Sequence, residues 1–208
     1  MKKIIIFILI YIIPYALFSE VPQGTFTYSF YGNGSLMGRV KVSIKKENNY
    51  YISEITYTLH TSDKKIERFI RTKETVTFVP ISIYSAQKMI INAIPITVKK
   101  YITFTKKHIV VNTKGNKIQY SISSPFVLDG LYYLKESMKH KYKKNFIFSA
   151  LVYVPEIEIE RPIKITYHIH GRKKIHVKNK ILSLYHITQR LNKTTVIHNY
   201  FNNKGILY

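Results

Sequence analysis

Apolar and polar residues alternate with period two over most of this chain. Phe26, Tyr28 and Phe30 are separated by Thr27 and Ser29, and Val40, Val42 and Ile44 by Lys41 and Ser43. Successive side chains of a strand point to opposite faces, so the pattern predicts strands with one buried face. Gly32-Asn33-Gly34 between the two runs reads as a hairpin turn, because glycine and asparagine tolerate positive φ. Asn48-Asn49 marks the next turn, into Tyr51, Ile55, Tyr57 and Leu59. Pro80 lies inside a further strand-like run and lacks a ladder donor, which predicts an edge or a bulge there. The alternation returns at Ile94, Ile96, Val98, Ile102 and Phe104, with Lys100 interrupting the apolar face. It continues at Ile118, Tyr120 and Ile122, and again at Ile163, Ile165, Tyr167 and Ile169. Gly171-Arg172 reads as a turn, and residues 195–208 as a closing hairpin that turns over Asn202-Asn203-Lys204-Gly205.

One segment breaks the period. Val127, Leu131, Leu134 and Met138 fall on one helical stripe. Ser124-Pro125 before them has the residue types of a helix cap and first turn, and lysines near the end suit the negative pole of the helix dipole. The expectation is one helix over 125–140. The fold class predicted is therefore mainly β: a curved or partly closed antiparallel sheet, half-barrel or barrel-like, with that one helix.

The first 19 residues follow a different logic. Lys2 and Lys3 precede an apolar run from Ile4 to Ile13, Pro14 breaks it, and Ser19 stands before Glu20. Ten apolar residues are too few for a membrane-spanning helix, which needs about 20, so 1–19 reads as a cleavable signal peptide. Residues 20–208 are then one exported, β-rich domain, and the expected location is periplasmic. The chain contains no cysteine, which excludes disulfides, thiol catalysis, cysteine-based metal sites and a lipid anchor on cysteine at the cleavage site.

Charge adds a partner class. The formal net charge is +22, carried mostly by lysine. Such a charge attracts anions, and export turns the expectation from nucleic acid to anionic lipid or another envelope polymer. An AT-rich codon bias would also produce it. Two basic runs stand out: Lys139, Lys141, Lys143 and Lys144 around Tyr142, and Arg172, Lys173 and Lys174 at the start of 172–180. If they converge, they form an anion-binding rim beside the helix. Val98, Ile102 and Phe104 would line an apolar concave side.

Catalytic motifs are weak. His168 and His170 share a strand face and would hold one Zn or Cu ion only with a third ligand, for which His176 across the Gly171 turn is the nearest candidate. Glu156, Glu158 and Glu160 alternate with Ile157 and Ile159, as paired carboxylates on one strand would. A solvated strand face explains them equally well. Gly32, Gly34 and Gly38 lack the strand-to-helix context of a phosphate loop. No catalytic residue, metal or cofactor is assigned.

The order of motifs carries a resemblance. Phe26-Thr27-Tyr28-Ser29-Phe30, a glycine turn and Leu36-Met37-Gly38-Arg39-Val40 are followed by Asp129-Gly130-Leu131-Tyr132-Tyr133-Leu134, and the chain closes on Tyr200-Phe201-Asn202-Asn203-Lys204-Gly205-Ile206-Leu207-Tyr208. This outline resembles the bacterial exported β-rich proteins of domain of unknown function 3108. Lys135 stands where that family has arginine, and its tryptophan near the final strand is missing. The resemblance implies an envelope role and supplies no catalytic residues. The leading functional reading is non-enzymatic binding of an amphipathic or anionic envelope component, of lipid or lipopolysaccharide type. A periplasmic hydrolase and a structural adaptor in an envelope complex are the alternatives.

Overall fold

The computed structural model describes residues 21–32, 35–60, 64–91, 94–177, 180–192 and 195–207. The signal segment 1–19 and the turn residues Asn33 and Gly34 lie outside the described residues. The fold class is the one the alternation predicts: mainly β, with antiparallel strands, a half-barrel sheet and one helix among the described residues.

Among the described residues thirteen strands form two sheets. The first is an eight-stranded meander in which each strand pairs with its sequence neighbour: β1 (Gly24–Gly32), β2 (Ser35–Glu47), β3 (Tyr50–His60), β4 (Lys64–Thr75), β5 (Pro80–Ile91), β6 (Ile94–Phe104), β7 (His108–Thr113) and β8 (Asn116–Ser121). Pro80 opens β5 opposite Glu74, where the ladder shifts register, so the proline costs no interior hydrogen bond. The second sheet runs in the order β13 (Val196–Phe201), β12 (Lys180–Arg190), β11 (Ile163–Val177), β10 (Phe146–Tyr153), β9 (Val127–Leu128), and α1 spans Leu131–Lys139.

The chain divides into two compact units. One comprises Gln23–Leu128 and Val152–Pro162. Its core gathers Ile83, Ile102, Ile109, Val111, Leu128 and Tyr153, with Phe104, Phe126 and Ile159 packed on them. Phe104, Phe126 and Tyr153 meet at ring centroids 5.3–6.0 Å apart, in edge and tilted geometry that favours aromatic pairs. The Tyr153 hydroxyl donates to the Ile159 carbonyl at 2.9 Å, which satisfies the one polar atom of an otherwise buried ring.

The other unit comprises Asp129–Leu151, Ile163–Tyr208 and the described residues before Gln23. Here α1 buries Leu131, Tyr133, Leu134, Ser137 and Met138. Tyr133 stacks on Tyr167 of β11 at 5.2 Å and meets Phe201 of β13 edge-on at 6.0 Å. Gly205, with a left-handed φ of +75° that favours glycine, lies against Leu134 and Met138, to whose side chains a Cβ would come within 3.1 Å.

Three expectations change. The helix begins at Leu131 rather than Pro125, because Val127 and Leu128 pair in parallel with Val152 and Tyr153; Gly130, not Ser124, precedes its first turn. Gly171 is not a turn: β11 runs unbroken to Val177, with a bulge between Ile169 and Gly171 at a φ of +83°. Glu156, Glu158 and Glu160 do not lie on a strand, since the segment after Tyr153 leaves the ladder and turns back through Ile159.

Candidate functional site

The two basic runs meet. Helix α1 ends in a tight turn: the Lys141 amide donates to the Met138 carbonyl and the Tyr142 amide to the Ser137 carbonyl, both at 2.8 Å. Lys141, Tyr142 and Asn145 adopt left-handed φ values of 51°, 50° and 64°, which costs on the order of 1 kcal/mol each and needs outside support. Part of that support comes from β11, where the Asn145 amide donates to the Ile169 carbonyl at 2.7 Å. The bulge at Gly171 makes room for the Lys144 stem, since a Cβ at Gly171 would lie 3.2 Å from Lys144 Cβ. A lysine-rich loop is thus docked beside Arg172, Lys173 and Lys174.

Aromatic rings floor this rim. Tyr142 stacks on Tyr185 of β12 at 4.2 Å, and the Arg172 guanidinium lies 4.9 Å from the Tyr185 ring centroid, a cation–π distance. Burial, and secondarily Tyr185, push the Tyr142 hydroxyl well above the usual phenol range, so it stays neutral. Lys143, Lys144, Arg172, Lys173 and Lys174 are exposed. Lys139 is exposed too and pairs loosely with Glu136 at 3.7 Å. Chemically the rim offers several cations, one of them a guanidinium over an aromatic ring, and exposed methylene stems. That suits phosphate-bearing ligands with an apolar part.

The proposed apolar lining belongs to the other unit. Ile102 is 1 % exposed, and Phe104 packs against the same cluster, so both are engaged by the chain's own Leu128, Phe126 and Tyr153. Val98 is half-buried on the same face of β6. Also in this unit, the Arg68 guanidinium donates to Tyr57 Oη at 3.0 Å and Ser85 Oγ at 3.3 Å, and forms an ion pair with Glu156. Glu158 faces Arg161 at 3.9 Å. Glu156 and Glu158 are thus each matched with an arginine of their own.

The histidines form a larger group than the sequence pattern shows. His168 and His170 lie on one face of β11, with ring centroids 4.0 Å apart. Register places His168 opposite Thr188 of β12, and Thr188 opposite His198 of β13; His186 sits opposite Tyr200. The row is thus His168, His170, His186 and His198, with further centroid separations of 4.5 and 5.2 Å, and Tyr200 stacked on His186 at 4.8 Å. His176 does not join it, being paired with Ile181 farther along the β11–β12 ladder. His186 Nε2 and His198 Nδ1 are 2.9 Å apart, and His170 Nε2 lies 2.9 Å from Thr188 Oγ1. These nitrogens point at one another or at a hydroxyl, and among the described residues no three metal-ligating side chains converge on a common point. Burial, followed by the neighbouring His168, His198 and Lys173, lowers the His170 pKa. Burial, then His170, His198, Lys173 and His168, brings His186 down to about 4.

His168 and His170 were visible as a face-sharing pair, whereas His186 and His198 join them only through the pairing of β12 with β11 and β13. The separations along the chain, 16 residues from His170 to His186 and 12 from His186 to His198, carry no such signal, because strand register is set by distant residues.

No protein-family model matches the chain, and no curated protein does. Among solved structures it is similar to a β-barrel-like protein of domain of unknown function 1849 from Brucella abortus. The TM-score is 0.57 at 10 % identity, over 82 % of this chain and 79 % of that one. It also aligns with a protein of the domain of unknown function 1089 family from Pseudomonas aeruginosa, with a TM-score of 0.43 at 7 % identity, over 89 % and 88 % of the two chains. At these identities only the fold of the first is informative. The chain is a β-rich domain similar in fold to a β-barrel-like protein of unknown function.

Proposed function

We propose that this is an exported envelope protein that binds a phosphate-bearing anionic amphiphile without catalysing a reaction. The observation that carries the reading is the docking of the lysine-rich loop, through the Lys144 stem at Gly171, beside Arg172, whose guanidinium lies over the ring of Tyr185 in the Tyr142–Tyr185 stack. Holding like charges together is unfavourable by itself, and an anionic surface reverses the sign, adding roughly 1 kcal/mol per basic side chain near it. The lysine stems and the edge of Tyr185 supply apolar contact next to the cations. Export rests on the residue pattern of 1–19, and periplasmic location and kinship with domain of unknown function 3108 belong to the same proposal. Ile102 and Phe104 are taken up by internal packing, so the basic rim is the part of the expected site that remains available.

The test is co-sedimentation of the purified protein with vesicles of phosphatidylcholine alone and with phosphatidylglycerol added, at low and high salt. Binding to the anionic vesicles, weakened by salt and lost in a Lys143→Gln, Lys144→Gln, Arg172→Gln variant of unchanged circular dichroism, is the expected result. Equal binding by the variant, or none by the native protein, overturns the reading and leaves the structural adaptor.

A further inference from the structure

We propose that the histidine row across β11, β12 and β13 is an acid-operated latch, which holds the edge strand β13 while neutral and releases it when the row becomes multiply protonated. The inference stands on the geometry of the row and is independent of the ligand proposed for the basic rim.

The latch contact is His186 Nε2 to His198 Nδ1, made across the β12–β13 ladder at 2.9 Å. Two neutral imidazoles satisfy it, because one nitrogen donates its proton and the other accepts. One imidazolium satisfies it as well, with the charged ring donating. Two imidazolium rings cannot, since both facing nitrogens would carry protons and the bond would become a head-on N–H clash. The neighbouring contact behaves differently: Thr188 Oγ1 both donates and accepts, so its bond to His170 Nε2 survives either charge state. His168 adds a second penalty. Its Nε2 is buried without a hydrogen-bond partner, which a ring protonated only on Nδ1 tolerates, whereas charging the ring would place an unpaired N–H in the same dry position.

The surroundings oppose any accumulation of positive charge. From β11 the row is faced by Lys164 and Lys173 besides His168 and His170; from β12 by Arg190 at the end of the same face as His186 and Thr188; from β13 by His198 and the neutral phenol of Tyr200. β10 contributes Ser149, bonded to Thr166 at 3.0 Å, which carries no charge. The groups that act on His170 and His186 are histidines and Lys173, so each proton added raises the cost of the next. The lowered pKa values of His170 and His186 agree with this.

The strand that yields is β13. It is the edge of its sheet, six residues long, and it holds the exposed end of the row at His198. It also carries Phe201, which packs on Tyr133 of α1, and leads to Gly205 against Leu134 and Met138. Loosening β13 therefore uncovers apolar surface on α1. The sign follows from linkage. His186 binds its proton more weakly in the folded state, so the latch is at full strength above the ordinary histidine pKa of about 6.5. It weakens as the pH falls from there towards about 4.

The experiment is amide hydrogen exchange of the full chain, corrected for intrinsic rates, between about pH 7.5 and about pH 4. Amides of Val196–Phe201 should lose protection at least tenfold on acidification while those of β3 and β4 keep theirs. His198→Asn, at the exposed end of the row, and His186→Phe, which retains the ring stack without a charge, should each make β13 protection insensitive to pH. Imidazole NMR supplies an independent readout, in which His170 and His186 should take up their protons below the ordinary histidine range. Protection of β13 that persists at acid pH, an equal loss in the His198→Asn protein, or a His186 that titrates at the ordinary histidine value would overturn the proposal.

Discussion

Glu74 is a carboxyl placed where a charge is costly, and its replacement should change the pH profile of stability in a calculable way. It is 1 % exposed, Oε2 has no hydrogen-bond partner, and it sits at the register shift between β4 and β5, opposite Tyr51 and Pro80. Burial raises its pKa from 4.5 to about 8. The raised value means that the folded state binds a proton the unfolded chain releases. The contribution to stability is intact below about pH 4.5 and is lost progressively as the pH rises towards 8. At 1.36 kcal/mol per unit, the penalty accumulated between pH 4.5 and neutrality is about 3 kcal/mol. Glu74→Gln keeps the shape and cannot ionise. Its amide adds an offset of its own, but that offset does not vary with pH. The informative quantity is therefore the change in the stability difference, measured by urea unfolding of both proteins at several pH values with the slope m checked for constancy. The variant should gain about 3 kcal/mol relative to the native protein from about pH 4.5 to about pH 7. A difference that stays flat over that range, or runs the other way, would falsify the assignment of Glu74 as a neutral buried acid.

Two further outcomes follow from packing. Gly38 has no space for a side chain, because a methyl group there would run into the Thr58 carbonyl oxygen and Leu59, so Gly38→Ala should destabilise by at least about 2 kcal/mol in thermal or urea unfolding. Tyr153→Phe removes the bond to the Ile159 carbonyl without opening a cavity and should cost about 1 kcal/mol, with the near-ultraviolet circular dichroism of the aromatic cluster largely kept.

The strands were legible because a strand that buries one face forces a period of two on the residues themselves. Val40, Val42 and Ile44, or Ile163, Ile165 and Tyr167, show it without any partner being known. The start of the helix was not legible in the same way. Ser124-Pro125 has the local chemistry of a helix start, but the pairing of Val127 and Leu128 with residues 25 positions away outweighs that preference. Glu156, Glu158 and Glu160 carry a strand-like alternation, yet Arg68 and the Tyr153 hydroxyl hold the segment in a turn. The basic rim lay between these cases. Its residues were identifiable one by one, while their convergence depended on the bulge at Gly171, which local pattern alone presents as a turn.

Local periodicity, then, was enough to establish most of the strands, the faces they turn inward and the surplus of positive charge, since each follows from a residue and its near neighbours. Register and docking settled the rest: which lysines share a rim with Arg172, that Ile102 and Phe104 are covered by Tyr153 and its neighbours, and that His186 and His198 complete a row begun by His168 and His170. Such contacts depend on the summed burial of many side chains across strands far apart in sequence, and no short stretch of residues encodes that sum.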